Sequence, residues 1–187
     1  ALSIKSSDDI IIDNLKVLVY GAAGAGKTRL CATAPRPLIV SAEGGMLSLR
    51  GSGVPYYEVT SALELDEVFK IARKTEEFDT ICIDSLSEIA EVLLVELKKG
   101  VNDPRQAYGQ LAESMMAMIR RFRDLRGKHV IFTAKEEVKS DESTGGQIIR
   151  PILPGQLLPT QVPYMFDLVF HLAADKKGDR YLQTQSD

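Results

Sequence analysis

The chain has 187 residues, of which 44% are hydrophobic and 26% are charged, with a formal net charge of −3. These values are typical of a globular protein, and the length predicts one domain spanning residues 1–187. The apolar runs are too short for a membrane span, and the charge excludes a globally basic nucleic-acid coat. Cys31 and Cys82 lie far apart in small or apolar runs. This indicates buried thiols in a reducing cytoplasm rather than a disulfide framework or a zinc site.

Short segments rich in valine and isoleucine alternate along the chain with segments of helical periodicity. Such nearly continuous apolar runs are typical of strands that are buried on both faces of a parallel sheet. The predicted strands are residues 15–20, 38–42, 56–60, 80–84, 129–134 and 168–173, with residues 180–185 as an alternating edge strand. The sequence therefore predicts an α/β fold, a mainly parallel sheet flanked by helices.

The predicted helices begin at recognisable capping residues. Ser61 and Glu64 form a capping box ahead of an apolar stripe, and a second apolar stripe covers residues 86–97. Asp103 and Pro104 are typical of the cap and the first residue of a third, longer helix. We expect these helices to cover the sheet.

Residues 135–161 differ from the rest of the chain, with little periodicity, two adjacent glycines and three prolines. A stretch of this length without regular structure is usually functional or mobile in a compact domain. We therefore expect an irregular segment there that serves function.

The strongest motif is GAAGAGKT at residues 21–28, a full match to the phosphate-loop pattern GxxxxGK[ST]. It follows the strand that ends at Tyr20 and precedes a predicted helix over residues 27–34. Glycines let backbone N–H groups converge on phosphate oxygens. Lys27 would reach the β- and γ-phosphates, and the Thr28 hydroxyl would bind Mg²⁺. A ligand-free Gly/Ala turn is the alternative. ATP and Mg²⁺ are thus the predicted cofactors, and the predicted nucleotide-binding residues are Gly21, Ala22, Ala23, Gly24, Ala25, Gly26, Lys27, Thr28 and Arg29.

Asp84 ends the buried strand TICID and is followed by Ser85. An acidic residue in this position can hold the hydration shell of Mg²⁺ beside a phosphate loop. The alternative is that Asp84 or Ser85 caps the next helix. The phosphate loop upstream favours Asp84 as the second metal-binding residue, together with Thr28.

Glu43 follows the predicted strand at residues 38–42, at the sheet edge where α/β proteins bind ligands. A carboxylate in this position can orient an attacking water as a general base. The alternative is a solvated loop glutamate. Glu43 is therefore a candidate catalytic residue, alongside Lys27.

The order phosphate loop, SAEGG, IDS, long helix and IFTAK resembles the RecA-type recombinase ATPase core over nearly the whole chain. The resemblance implies that Glu43 activates water and that Asp84 and Ser85 end the Walker B strand. It also places Lys135 where the bacterial recombinase has a glutamine that senses the γ-phosphate, so Lys135 is the third candidate catalytic residue. Compact size and the segments PILPG and VPYMFD resemble most the phage-encoded RecA-like ATPases of the single-strand-annealing group. That family usually continues into a basic segment, so the chain is expected to extend past Asp187.

The resemblance further implies single-stranded DNA as a partner, bound by two loops at residues 98–110 and 136–160. From the residues alone, the signal for nucleic acid is weaker. Tyr108 could stack on a base or pack against protein. A basic run late in the third helix could follow phosphates or form a solvated helix face, and it comprises Arg120, Arg121, Arg123, Arg126 and Lys128.

The phosphate loop predicts an ATP-hydrolysing protein, and the resemblance implies a recombination protein that couples turnover to single-stranded DNA in the cytoplasm, that of a bacterial host if phage-encoded. A homo-oligomer, ring or filament, is expected, and the resemblance implies that the neighbouring subunit supplies a cation to the γ-phosphate. The candidates for this cation are Lys176, Lys177 and Arg180. The alternatives are a nucleotide-gated assembly module with negligible turnover and a small kinase. A kinase needs an arginine-bearing lid, and residues 136–150 contain only Arg150.

Overall fold

We describe residues 14–140 and 145–184 from a computed structural model. The strands are β1 (Lys16–Gly21), β2 (Pro37–Ser41), β3 (Tyr56–Glu58), β4 (Thr80–Asp84), β5 (His129–Ser140), β6 (Gln147–Pro151), β7 (Leu168–Ala174) and β8 (Arg180–Gln183). The helices are α1 (Lys27–Ala32), α2 (Ala62–Lys74), α3 (Leu86–Lys98), α4 (Pro104–Arg123) and α5 (Leu157–Gln161), with 3-10 turns at Met46–Leu49 and Val162–Met165. The seven predicted strands and the predicted helices are present in the predicted order, with additional elements between β5 and β7.

Seven strands form the main sheet in the order β3-β2-β4-β5-β1-β7-β8, and β6 pairs with β5 outside this path. All pairings from β3 to β7 along this order are parallel, whereas β8 is an antiparallel edge strand on β7. The predicted edge strand extended to residue 185, and residues 185–187 lie outside the described residues. The sheet order brings the carboxyl ends of β1, β2, β4 and β5 side by side.

Helices α2, α3 and α4 cover one face of the sheet and bury the main apolar core against it. The two predicted caps, Ser61 and Asp103, are present, and Ser85, a cap in the alternative interpretation, also accepts a backbone N–H in the first turn of its helix. Helix α1 and the 3-10 turn at Met46–Leu49 lie on the opposite face. Within the described ranges, none of the helices is both long enough and apolar enough to cross a membrane.

The expectation of irregular structure at residues 135–161 is wrong for most of this segment. Strand β5 continues to Ser140, and its second half pairs with β6 in an antiparallel hairpin. Helix α5 and a 3-10 turn follow. The hairpin escaped prediction because Val138 and Ile148 are about half exposed, so no apolar face marks these strands in the sequence. Residues 141–144, inside the predicted second DNA loop, lie outside the described residues.

Candidate active site

The phosphate loop connects the end of β1 to the beginning of α1. Gly24 and Gly26 have φ angles of 77° and 106°, in the left-handed region that glycine adopts without strain. The Lys27 ammonium donates hydrogen bonds to the carbonyl oxygens of Gly21 and Ala22, at 2.8 and 2.9 Å. The Lys27 side chain therefore folds back onto its own loop.

Gly21 is also required by a close backbone neighbour, and Gly26 lies against a side chain. A Cβ on Gly21 would lie 2.4 Å from the carbonyl oxygen of Leu172, which is a fixed backbone atom. A Cβ on Gly26 would lie 2.8 Å from Nε of Arg180. This same Nε donates a 2.8 Å hydrogen bond to the carbonyl of Ala25. Arg180 thus contacts the phosphate loop of its own chain.

Asp84 lies at the carboxyl end of β4 and is almost fully buried. The Thr28 hydroxyl donates to its Oδ2 at 2.6 Å. The hydroxyl of Thr133, on the neighbouring strand β5, donates to its Oδ1 at 2.5 Å. The predicted metal pair Thr28 and Asp84 is therefore in direct contact, and Thr133 fixes the second oxygen of the carboxylate.

Glu43 belongs to a polar network beside Asp84. The Ser85 hydroxyl donates to Oε1 of Glu43 at 2.5 Å, and the Lys135 ammonium lies 3.7 Å from the same oxygen. Lys135 makes a closer ion pair with Glu88, at 2.6 Å. Glu43 is therefore held from two sides, and Lys135 contacts carboxylates at the edge of the site.

A cavity of about 550 Å³ opens over the phosphate loop, and its lining includes Lys27, Glu43, Lys135, Glu136 and Arg180. Burial lowers the pKa of Lys27, while the nearby carboxylates of Glu43, Asp84 and Glu136 oppose this shift. The hydrogen bond to Glu88 raises the pKa of Lys135, with Glu43 adding to the effect. The cavity has a size suited to a nucleotide. Its wall carries both basic side chains and carboxylates.

The donor set of Thr28 and Asp84 fits Mg²⁺, which prefers oxygen ligands and keeps several waters while using one or two protein groups. Such a site needs no larger cluster of ligands. The described residues contain no group of three or more histidine, cysteine and acidic side chains arranged to hold a metal. The hydroxyl–carboxylate pair is thus the place where a magnesium ion would be held.

The other predicted site residues lie in varied positions. The Arg29 Nε donates to the carbonyl of Ser48 at 3.4 Å, and Arg29 lines the cavity. Arg180, one of the three candidates for the cation from a neighbouring subunit, contacts the phosphate loop of its own chain, where the β7–β8 hairpin places it. Lys176 and Lys177 lie exposed in the turn of this hairpin.

The predicted helix over residues 27–34 ends at Ala32.

The predicted basic run begins in the last turn of α4 and continues past the end of this helix, and three of its five residues make contacts within the chain. Arg121 pairs with Asp66 at 2.6 Å and stacks on Phe69, and Arg123 pairs with Asp124. Lys128 is buried, and its ammonium donates to the carbonyl of Phe78 at 2.6 Å. These contacts favour the structural interpretation of the run over a path for phosphates. The predicted first DNA loop, residues 98–110, includes the end of α3 and the first turns of α4.

Several residues of the site carried no signal in the sequence analysis. They are Thr133, Glu88 and Glu136, of which Glu136 makes a 2.7 Å contact with Nε2 of His171. A single polar residue within an apolar strand has no periodic signature. Thr133 could have been suspected only from its place near the carboxyl end of a predicted parallel strand.

The fold is similar to that of several solved structures. An ATPase from the type III secretion system of pathogenic bacteria has a TM-score of 0.55 at 16% identity, covering 89% of this chain and 55% of that chain. The chain thus spans about half the length of that ATPase. A KaiC-like protein from the hyperthermophilic archaeon Pyrococcus horikoshii has a TM-score of 0.50 at 14% identity, covering 91% of this chain and 78% of that chain. The RadB recombinase matches at 18% identity and a TM-score of 0.48, over 92% of this chain and 81% of that chain.

The first two of these likenesses confirm the predicted α/β fold, a mainly parallel sheet flanked by helices. A search among curated proteins found no match to the sequence. A family model described as an AAA domain, AAA_24, matches residues 13–187. Because this match covers nearly the whole chain and its phosphate loop has the geometry described above, the protein belongs to the AAA domain family.

Proposed function

We propose that the protein binds and hydrolyses Mg-ATP. The observation that carries this proposal is the meeting of Lys27, the Thr28–Asp84 pair and Glu43 around one cavity at the carboxyl edge of the sheet. Lys27 binds the β- and γ-phosphates, and Thr28 and Asp84 hold Mg²⁺. The ion, when bound, neutralises charge on the β- and γ-phosphate oxygens.

Glu43 acts as the general base in this proposal. Water attacks the γ-phosphorus as the bond to the β-phosphate oxygen breaks, ADP leaves, and the proton of the water passes to Glu43. The hydrogen bond from Ser85 and the charge of Lys135 fix the orientation of the carboxylate before attack. Lys135 also lines the cavity, so in our proposal it senses the γ-phosphate from the side of Glu43.

A finer proposal is that turnover is coupled to single-stranded DNA in a recombination protein that works as a homo-oligomer. Tyr108 supports it, being 40% exposed with the Lys98 ammonium 5.4 Å from its ring centre. An exposed aromatic ring beside a cation is a common element of surfaces that bind single strands. The β5–β6 hairpin adds the exposed apolar residues Val138 and Ile148.

The experiment is steady-state ATP hydrolysis with and without single-stranded DNA, with Glu43→Gln as the matched control. We expect the wild type to hydrolyse ATP and to be stimulated by DNA. Glu43→Gln should bind ATP normally and turn it over roughly a hundredfold more slowly, because it keeps the shape but not the base. Nucleotide binding without turnover would support the assembly module, and turnover only with a phosphate acceptor would support a kinase. Normal hydrolysis by Glu43→Gln would refute the role of Glu43.

If DNA stimulates turnover, Lys98→Ala/Lys99→Ala tests the surface. We expect weaker binding to single strands and a shallower salt dependence, because each lost phosphate contact removes part of the counterion release. Basal hydrolysis should be unchanged, since both lysines lie at the exposed end of α3, outside the residues that line the cavity.

A further inference from the structure

Ser41 is the last residue of β2 and lies opposite Asp84 in the parallel register of β2 and β4. Side chains along a strand alternate between the two faces of the sheet. Val40 packs into the core under α2–α4, whereas Ile39 packs against Cys31 of α1. Ser41 therefore shares the α1 face with Ile39, and it shares that face with the carboxylate of Asp84, which contacts α1 through Thr28.

Two threonines contact the carboxylate of Asp84, and Ser41 lies opposite Asp84 on the same face of the sheet. Thr28 reaches the carboxylate from α1, and Thr133 reaches it from β5, on one side of β4. Ser41 lies on β2, on the other side of β4. Both carboxylate oxygens already accept a hydrogen bond from a threonine, whereas Ser41 donates to neither oxygen.

The hydroxyl oxygen of Ser41 is buried and has no hydrogen-bond partner among residues 14–140 and 145–184. The residue is 1% exposed. Among the buried side-chain polar atoms of this described part of the chain, it is the single one left unpaired. Burying a hydroxyl without a partner is unfavourable, so nearly all such groups in proteins are satisfied by protein, water or ligand. An unpaired hydroxyl beside a metal-binding carboxylate points to a ligand at that place.

We propose that Ser41 is a third residue of the magnesium site, where its hydroxyl binds a water of the hydrated divalent cation held by Thr28 and Asp84. This inference rests on the proposed Mg-ATP function and adds a residue to it. Mg²⁺ gives up its waters reluctantly, so protein groups often contact it through them. Such outer contacts orient the inner ligands and contribute to metal affinity. Ser41 is a positioning residue in this arrangement, since it acts through water.

The test compares Ser41→Ala with the wild type for binding of Mn²⁺, which prefers the same oxygen ligands as Mg²⁺. Free Mn²⁺ is measured by electron paramagnetic resonance in the presence of ADP or a non-hydrolysable ATP analogue. We expect the affinity of the protein–nucleotide complex for Mn²⁺ to fall about tenfold. Thermal unfolding in EDTA without nucleotide should be unchanged or shifted upward, because the variant loses a buried hydroxyl that had no partner.

Thr80→Val is the matched control. Thr80 lies on the same face at the start of β4, and its hydroxyl donates to the carbonyl of Pro35 at 2.8 Å. This variant should lose thermal stability and keep the Mn²⁺ affinity of the wild type. If it lowers the affinity as much as Ser41→Ala does, the effect is a general loosening of the sheet and the inference is wrong.

Three other results of this experiment would also decide whether the inference or the proposed function is wrong. An unchanged Mn²⁺ affinity in Ser41→Ala overturns the inference and leaves the proposed function standing. Lower stability of Ser41→Ala in EDTA shows that the hydroxyl is bonded in the metal-free protein, which also overturns it. A wild type that binds neither nucleotide nor Mn²⁺ refutes the proposed function itself.

Discussion

Thr133→Val should reveal how strongly the fold holds the carboxylate of Asp84. Valine matches the shape of threonine, so the substitution removes the hydrogen bond to Oδ1 of Asp84, 2.5 Å long, without opening a cavity. Both residues are buried, with Thr133 at 0% and Asp84 at 2% exposure, so water cannot replace the lost donor. Hydrogen bonds to charged groups contribute about 1.5–3 kcal/mol. We therefore expect the free energy of unfolding to fall by about 2 kcal/mol.

For a chain of this size, such a loss lowers the melting temperature by roughly 4–8 °C. The assay is urea and thermal unfolding followed by circular dichroism, in EDTA and without nucleotide. Thr80→Val is again the control, because its hydroxyl bonds a neutral carbonyl and its loss should cost about 1 kcal/mol. If Thr133→Val is no less stable than Thr80→Val, the carboxylate does not depend on Thr133 and the reasoning fails.

Two further predictions concern Lys27 of the phosphate loop and Arg180, which contacts this loop from β8. Lys27→Ala should reduce hydrolysis at least a hundredfold, because the phosphates lose a charge-assisted contact. The free energy of unfolding without nucleotide should change little, since this side chain is only half-buried. Wild-type turnover in this variant would contradict the assignment of the phosphate loop. Arg180→Ala should weaken nucleotide binding about tenfold by freeing the carbonyl of Ala25. Mixing Arg180→Ala with Lys27→Ala subunits should not restore turnover if Arg180 serves its own chain, and recovery of activity in the mixture would show that it serves a neighbour.

The motif residues could be predicted because their signals are local. The phosphate loop is a contiguous pattern, and Asp84 and Glu43 each follow an apolar run that is visible in the sequence. The contacts of Thr133 and Ser41 could not be predicted in this way. They depend on the order β2-β4-β5 in the sheet, which brings together strands that are far apart in the chain.

The position of Arg180 shows the same limit in another form. Its place in an alternating, polar segment indicated an edge strand, and β8 is one. Whether that edge faces its own phosphate loop or a neighbour's depends on β7 pairing with β1. This pairing joins residues about 150 positions apart, and no local pattern encodes it.

Strand β5 runs without interruption from the central sheet into the hairpin. Between Thr133 at the Asp84 carboxylate and Ser140 at the end of the strand lie roughly 23 Å of extended backbone. Lys135 and Glu136 of the cavity lie along the same stretch. One continuous strand therefore has residues in the cavity and its carboxyl end on the surface. Any free-energy coupling between the two ends of β5 must act equally in both directions. A ligand that repositions the hairpin therefore changes nucleotide affinity by some factor, and nucleotide changes the affinity for that ligand by the same factor.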